Sequence, residues 1–314
     1  MELKNQWKGW IYLLPALIVL AVFTVYPIFN TIILAFREGY DRVAIVGGAT
    51  NYPWGFKNFT KILNPDGYYG ELFYRALGNT TIIVFCTVIP STLIALLIAV
   101  ALNSIKPFQK LLQTIYFLPY ITNTLAIAAV FQIIFQSSGQ TGASVGILNN
   151  LIEACGGEAI DWLGGTNKPA SMAVVCIYDI WSGLPFKILV LLGALQSVNK
   201  QCYDAAKIDG TPKRRVLWRI TVPLISPMLS YLIITGFIGA FKEYTSIIGL
   251  FPAQGTKMGS GNFMITIVGL IYNFIDGDDV GQYGMASAAA LVLLVIIMIF
   301  TAINMFVSKK KVHY

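Results

Sequence analysis

The chain has 314 residues, of which 56% are apolar and only 12% charged, with a mean hydropathy of +0.68. A soluble domain carries about 45–50% apolar and about 25% charged residues, because a water-facing surface needs the charges. The composition therefore excludes an ordinary cytosolic globule and a disordered or collagen-like chain, and leaves an all-α polytopic membrane protein.

A hydrocarbon core about 30 Å thick takes roughly 20 helical residues to cross. Lipid offers the backbone no water, so each crossing must be a helix. Six stretches qualify, at 10–36, 77–102, 111–135, 172–195, 222–250 and 285–307. The first follows Lys4 and Lys8 and is about twice as long as a signal-peptide core. No small-residue cleavage site follows it, so it reads as an uncleaved first span, with 1–9 as the N-terminus and 308–314 as the tail.

The connection 37–76 carries Trp54-Gly55-Phe56-Lys57-Asn58-Phe59-Thr60-Lys61-Ile62-Leu63, then a Pro/Asp/Gly turn. That stretch is amphipathic enough for a helix lying on the membrane surface, either as an interfacial aromatic belt or as a docking element. Span four holds Asp179 and Lys187, and span five holds Lys242 and Glu243 near its end. Intramembrane charges are costly and face a cavity or a partner. Asp179 and Lys187 are eight residues apart, about 12 Å along a helix, too far to pair directly. They read equally as helix-orienting groups or as pathway groups, whereas Lys242 and Glu243 can reach the interface by snorkelling. Mid-span polar and aromatic groups able to line a pathway are Asn123, Gln132, Gln136, Tyr178, Trp181, Thr235 and Tyr244. Trp181 also reads as a packing residue beside a kink at Pro185.

Charge sets the orientation. The termini with the connections 103–110 and 196–221 hold 13 Lys+Arg against 3 Asp+Glu; the remaining connections hold 7 against 10. The positive-inside rule then places both termini in the cytoplasm. The net charge of +7 is the sum of a basic and an acidic face, not a sign of nucleic-acid binding. Four cysteines show no CxxC spacing, the single His313 leaves no histidine metal site, and no Gly-Lys pair occurs. A GxxxxGK[ST] phosphate loop is therefore absent. Metal sites and catalytic residues are not expected.

The connection 196–221 is longer and organised. Cys202–Ile208 reads as a short helix with an acid in its first turn, stopped at Asp209-Gly210. Thr211 reads as the N-cap and Pro212 as the first residue of a second helix, with Lys213, Arg214, Arg215 and Arg219 on polar positions. Such an elbow suits a groove on a cytosolic protein; a basic loop drawn to anionic lipid is the competing reading.

The run Asp204-Ala205-Ala206-Lys207-Ile208-Asp209-Gly210-Thr211, followed by Leu217, Ile220, Pro223 and Pro227, resembles the EAA loop of permease subunits from binding-protein-dependent ABC importers. Asp204 stands for that pattern's glutamate, Thr211 for its alanine and Leu217 for its aromatic. Leu14-Pro15, Tyr26-Pro27, Gly55–Phe59, Ala76–Thr80, Leu118-Pro119-Tyr120, Trp181–Phe186, Phe241–Tyr244 and Tyr283–Ala288 are similar to the carbohydrate-uptake, maltose-type branch. The T-x-G-G-P often seen there after span five is missing from 251–261. Six spans match the smaller members.

The resemblance implies a six-helix type I permease domain over 10–307 and a multi-pass protein of the bacterial cell membrane. It implies half of a sugar pathway, with a second permease, a cytosolic ATPase dimer and an extracytoplasmic binding protein as partners. ATP and Mg would sit in the ATPase, with no cofactor bound by this chain. Asp204, Ala205, Ala206, Asp209, Gly210, Thr211, Leu217, Ile220 and Pro223 would couple to it. By alignment, solute contacts would fall on Thr235, Ile238, Gly239 and Lys242, although Ile238-Gly239 lacks the polar or aromatic groups usual there. A sugar-like anion such as glycerol phosphate or a uronic-acid oligomer is the variant in which Lys187 and Lys242 neutralise the solute. An integral-membrane enzyme or receptor would instead need titratable groups clustered at one depth, and the intramembrane acids read as single.

Overall fold

A computed structural model of the chain describes residues 6–41, 45–48, 51–105, 109–136, 146–165, 167–251, 262–276 and 282–311. The missing T-x-G-G-P and most of the tail expected at 308–314 lie outside the described residues or their side chains. Two compact units emerge: Met1–Phe73 with Leu270–Val292, and Tyr74–Gly269 with Leu293–Tyr314.

In the first unit, helices α1 (Gln6–Leu20) and α2 (Tyr26–Ala35) join through a π-helical turn at Ala21–Val25. The cause is Pro27. A proline ring clashes with the carbonyl four residues back, so the preceding turn widens and the Tyr26 N–H reaches Ala21 O instead. The span then ends in a knot. Asn58, on the short helix α3 (Lys57–Leu63), is buried and donates to Ala35 O at 3.0 Å and to Arg37 O at 2.9 Å. The Arg37 guanidinium lies 4.4 Å over Trp54. A Cβ on Gly284 would come within 2.7 Å of Asn58 Nδ2, so only glycine fits there. The amphipathic stretch is thus largely a fastening for the end of span one.

The second unit is built on α4 (Tyr68–Ser104), α8 (Lys168–Ser197) and α12 (Ser226–Phe241). Their apolar faces meet in a core of Ala95, Leu96, Ala99, Leu102, Ile188, Leu191, Leu192, Leu195, Ile225 and Leu232. Between α4 and α8 run α5 (Gln109–Ile121), α6 (Thr124–Phe135) and α7 (Ile147–Ala154). The chain from α8 to α12 passes through α9 (Lys200–Ile208), α10 (Lys213–Val216), a π-turn at Leu217–Thr221 and α11 (Val222–Leu224). The helices α13 (Thr245–Leu250), α14 (Ile267–Asp276) and α15 (Tyr283–Lys311) follow in the chain, with Leu270–Val292 belonging to the first unit.

Two of the six expected spans are not straight. The stretch 111–135 breaks by 94° between Leu111–Ile121 and Thr124–Phe135. Asn123 starts the second piece as N-cap, its side chain accepting from Leu125 N–H at 2.9 Å. The stretch 222–250 also divides. A 71° bend separates Lys213–Leu224 from Ser226–Phe241, and Thr245–Leu250 is a separate helix. Among the described residues, four helices are long and apolar enough to cross unaided, and six if each bent pair counts as one. An apolar helix, α14, also lies in the connection expected to be extramembranous.

Candidate functional site

The elbow forms much as its residues dictate. Asn199 caps α9 by accepting from Gln201 N–H at 3.0 Å. At the other end Thr211 N–H reaches Ala206 O at 2.9 Å and Gly210 N–H reaches Lys207 O at 3.2 Å. These are the two bonds of a Schellman closure, which needs a left-handed residue; Gly210 supplies it at φ +64°. Two details differ from expectation. The helix starts at Lys200, so Asp204 is not in its first turn, and Pro212 rather than Thr211 takes the N-cap position, with no side-chain cap.

The second arm contains the other π-turn, and its cause repeats. Pro223 follows it, and Val222 N–H bonds Leu217 O five residues back. Leu217 and Ile220 lie half-buried within or beside that turn. The Tyr203 hydroxyl donates to Thr221 Oγ1 at 3.3 Å, tying the two arms. Ala206 is buried against the elbow's interior, while Asp204, Ala205 and Asp209 are exposed. At the tip Ile208 is 86% exposed.

A second feature lies deeper. A cavity of about 210 Å³ is lined by Thr87 and Ser91 of α4, by Asp179, Ser182 and Lys187 of α8, and by Gly236, Ala240 and Glu243. Lys187 is buried; its ammonium donates to Ser91 Oγ, to Thr92 Oγ1 at 3.2 Å and to Val88 O at 3.4 Å. Gly236 leaves the space: a Cβ there would stand 3.0 Å from Val88 and 3.8 Å from Lys187 Nζ. The acids read as single from the sequence, Asp179 and Glu243, line one cavity. Glu243 does not snorkel away. It is half-buried and accepts from Ser246 N–H at 2.9 Å and Ser246 Oγ at 2.8 Å, holding the start of α13.

Of the expected pathway residues, the structure brings Asp179 and Lys187 together and disperses the rest. Asn123 is a helix cap. Gln132 donates to Gly249 O, and Gln136 ends α6 with its carbonyl held by Gly146 N–H at 3.1 Å. Tyr178 is buried, its hydroxyl on Thr124 O at 2.9 Å. Trp181 lies 5.6 Å from the Phe131 ring. Thr235 bonds back to Tyr231 O at 2.7 Å. The Gly239 carbonyl accepts from Lys242 N–H at 2.9 Å where α12 ends, with Lys242 exposed. Tyr244 is the N-cap of α13. Sequence reasoning missed Thr87, Ser91, Ser182, Gly236 and Ala240. Gly236 and Ala240, four apart in an apolar helix, carry the small-residue signal for close helix approach.

A family model described as binding-protein-dependent transport system inner membrane component matches residues 79–313, which include the elbow and the cavity. The chain belongs to this family. The match opens on Asn79, the side chain that donates to Phe263 O at 3.0 Å and Ile265 O at 2.9 Å and pins the segment after α13. The permease is 28% identical to the arabinooligosaccharides transport system permease protein AraP of Bacillus subtilis, over 95% of this chain and 88% of that one. It is 26% identical to the multiple sugar-binding transport system permease protein MsmF of Streptococcus mutans, over 98% of each. Among solved structures, a bacterial ABC transporter involved in the import of the acidic polysaccharide alginate shares the fold. Its TM-score is 0.78 at 23% identity, covering 98% of this chain and 97% of that one. The family is one of transport components, and the chain is a multi-pass membrane permease.

Proposed function

We propose that this permease is half of the pathway of an ATP-driven sugar importer, with the elbow facing the cytosol and docking on a separate ATPase. The observation that carries the reading is the elbow itself. A Schellman-closed bend presents one almost fully exposed apolar side chain, Ile208, on two arms tied by Tyr203 and Thr221. A rigid bend with an apolar tip transmits displacement, which a floppy basic loop would not. Asp204, Ala205, Asp209, Gly210 and Thr211 form the docking bend; Leu217, Ile220 and Pro223 set the angle of the arm leading to α12. ATP and Mg belong to the ATPase, and a second permease and an extracytoplasmic binding protein complete the assembly.

For the solute, the names of the similar permeases support oligosaccharides, and the cavity favours a neutral one. Two carboxyl groups, Asp179 and Glu243, line the cavity together with one ammonium that is already held by hydroxyls. The Thr87, Ser91 and Ser182 hydroxyls on that lining suit neutral sugar hydroxyls.

Gly210 provides the test. A Cβ there meets nothing within 4 Å, so the cost of a side chain is the left-handed backbone alone, about 1–2 kcal/mol. Gly210→Val in the assembled transporter is expected to keep ATP hydrolysis while uptake of a neutral oligosaccharide falls at least tenfold. Gly210→Asn, a residue that tolerates this conformation, should retain most uptake. Normal coupled uptake by Gly210→Val would overturn the assignment of the elbow.

A further inference from the structure

Beneath the elbow lies a larger cavity, about 570 Å³, whose lining takes in Gly210 and Thr211 of the docking bend but not its tip, Ile208. Its walls come from the last turn of α4 (Val100, Asn103), the end of α8 (Leu195) and both arms of the elbow. We propose that it binds an anionic phospholipid, the headgroup phosphate held by Lys207 and Lys213 and an acyl chain lying along Val100, Leu195 and Val216.

Three observations converge on that ligand. The first is charge: the lining contains two lysines, one on each arm, and no carboxylate. The second is the combination of chemistries. Aliphatic walls continue the ends of two membrane-spanning helices, while the cations come only from the elbow, so an amphiphile with an anionic head matches and a sugar does not. The volume lies within the range of about 300–1,000 Å³ typical of small-molecule sites. The third is depth. Trp218 and Leu224, on the same arm, are half-exposed, and an exposed tryptophan marks headgroup level. The long lysine stems can follow the apolar wall while their ammonium groups reach the phosphate.

The consequence is mechanical. Lys207 precedes Gly210 and Lys213 follows it, so one phosphate bridged by both braces the bend. The inference rests on the proposed function only in placing the elbow at a membrane surface.

The test uses the full transporter, with companion permease and ATPase, in nanodiscs of phosphatidylcholine containing a minor fraction of phosphatidylglycerol. Native mass spectrometry then counts the lipid retained. The wild type is expected to retain phosphatidylglycerol in preference. Lys207→Gln and Lys213→Gln should each lower that preference about fivefold, the effect of one basic residue at an anionic surface. Val216→Phe, which fills the apolar wall without altering charge, should lower retention too. Excess free glycerol phosphate should displace nothing; displacement would assign the site to a soluble anion and overturn the proposal. Unchanged preference in both lysine variants would overturn it, and so would lipid retained only after the ATPase is stripped away. Co-purification of the ATPase in the same samples reports the docking reading separately. Its loss from the wild type would sink that reading while lipid retention still decides the cavity.

Discussion

Lys187 shows how one buried side chain ties two helices, α8 and α4. Its ammonium sits on the hydroxyls of Ser91 and Thr92 and on Val88 O, all from α4. Those hydroxyls need no lysine, because Ser91 also bonds Thr87 O and Thr92 bonds Val88 O at 2.7 Å. What the lysine alone supplies is positive charge in the cavity that Asp179 and Glu243 also line. Lys187→Met should therefore destabilise the transporter by about 3 kcal/mol, the order expected when a buried charge loses its compensation. Adding Asp179→Asn should restore more than half of that loss. The measurement is a double-mutant cycle on thermal unfolding of the purified complex. Additive costs for the two substitutions would show that lysine and carboxylate do not sense each other.

At the scale of elements, the two π-turns are one device used twice, each closed by the N–H of the residue before a proline: Tyr26-Pro27 and Val222-Pro223. A π-turn absorbs one extra residue, so everything before it is rotated by about 100° relative to a continuous α-helix. In the elbow that rotation sets which way Lys213–Val216 points. Pro223→Ala removes the clash that maintains the wide turn, and the arm should relax toward α register. The expected result is an ATPase that still hydrolyses but moves several-fold less solute per ATP, read as the ratio of hydrolysis to uptake in proteoliposomes. An unchanged ratio would show that the proline is not what aims the arm. These elements also show where sequence was legible. The Asp209-Gly210 stop could be read because left-handed backbone has a residue signature, and Gly210 takes that conformation. The breaks were harder. Hydropathy stays high through 111–135 and 222–241, where the local signs are a capping asparagine, Asn123, and prolines that a membrane helix also tolerates; Lys242-Glu243 marks only the later division before Thr245–Leu250. The cavity was half legible. Intramembrane charge marked Asp179 and Lys187, but Thr87, Ser91 and Gly236 enter through helix pairing, which one sequence does not encode locally.

For the whole molecule the decisive quantity is which face meets the cytosol, since the proposed ATPase docking and the proposed lipid site both depend on it. The charge count argues for the elbow side, 13 cations against 3 anions, with the acidic connections opposite. Two cysteines make that argument measurable without adding a probe. Cys202 sits exposed on α9 within the elbow, and Cys155 sits exposed at the end of α7 in the connection between spans three and four. In a variant keeping only Cys155, a membrane-impermeant maleimide should label cells whose plasma membrane is intact, with any outer layer made permeable. In one keeping only Cys202, labelling should appear only after the membrane is opened. Serine replacement of Cys86 and Cys176 suits both variants, since neither is fully buried. Labelling of Cys202 from outside would invert the chain, and would leave the apolar tip at Ile208 with no nucleotide-driven partner to grip it.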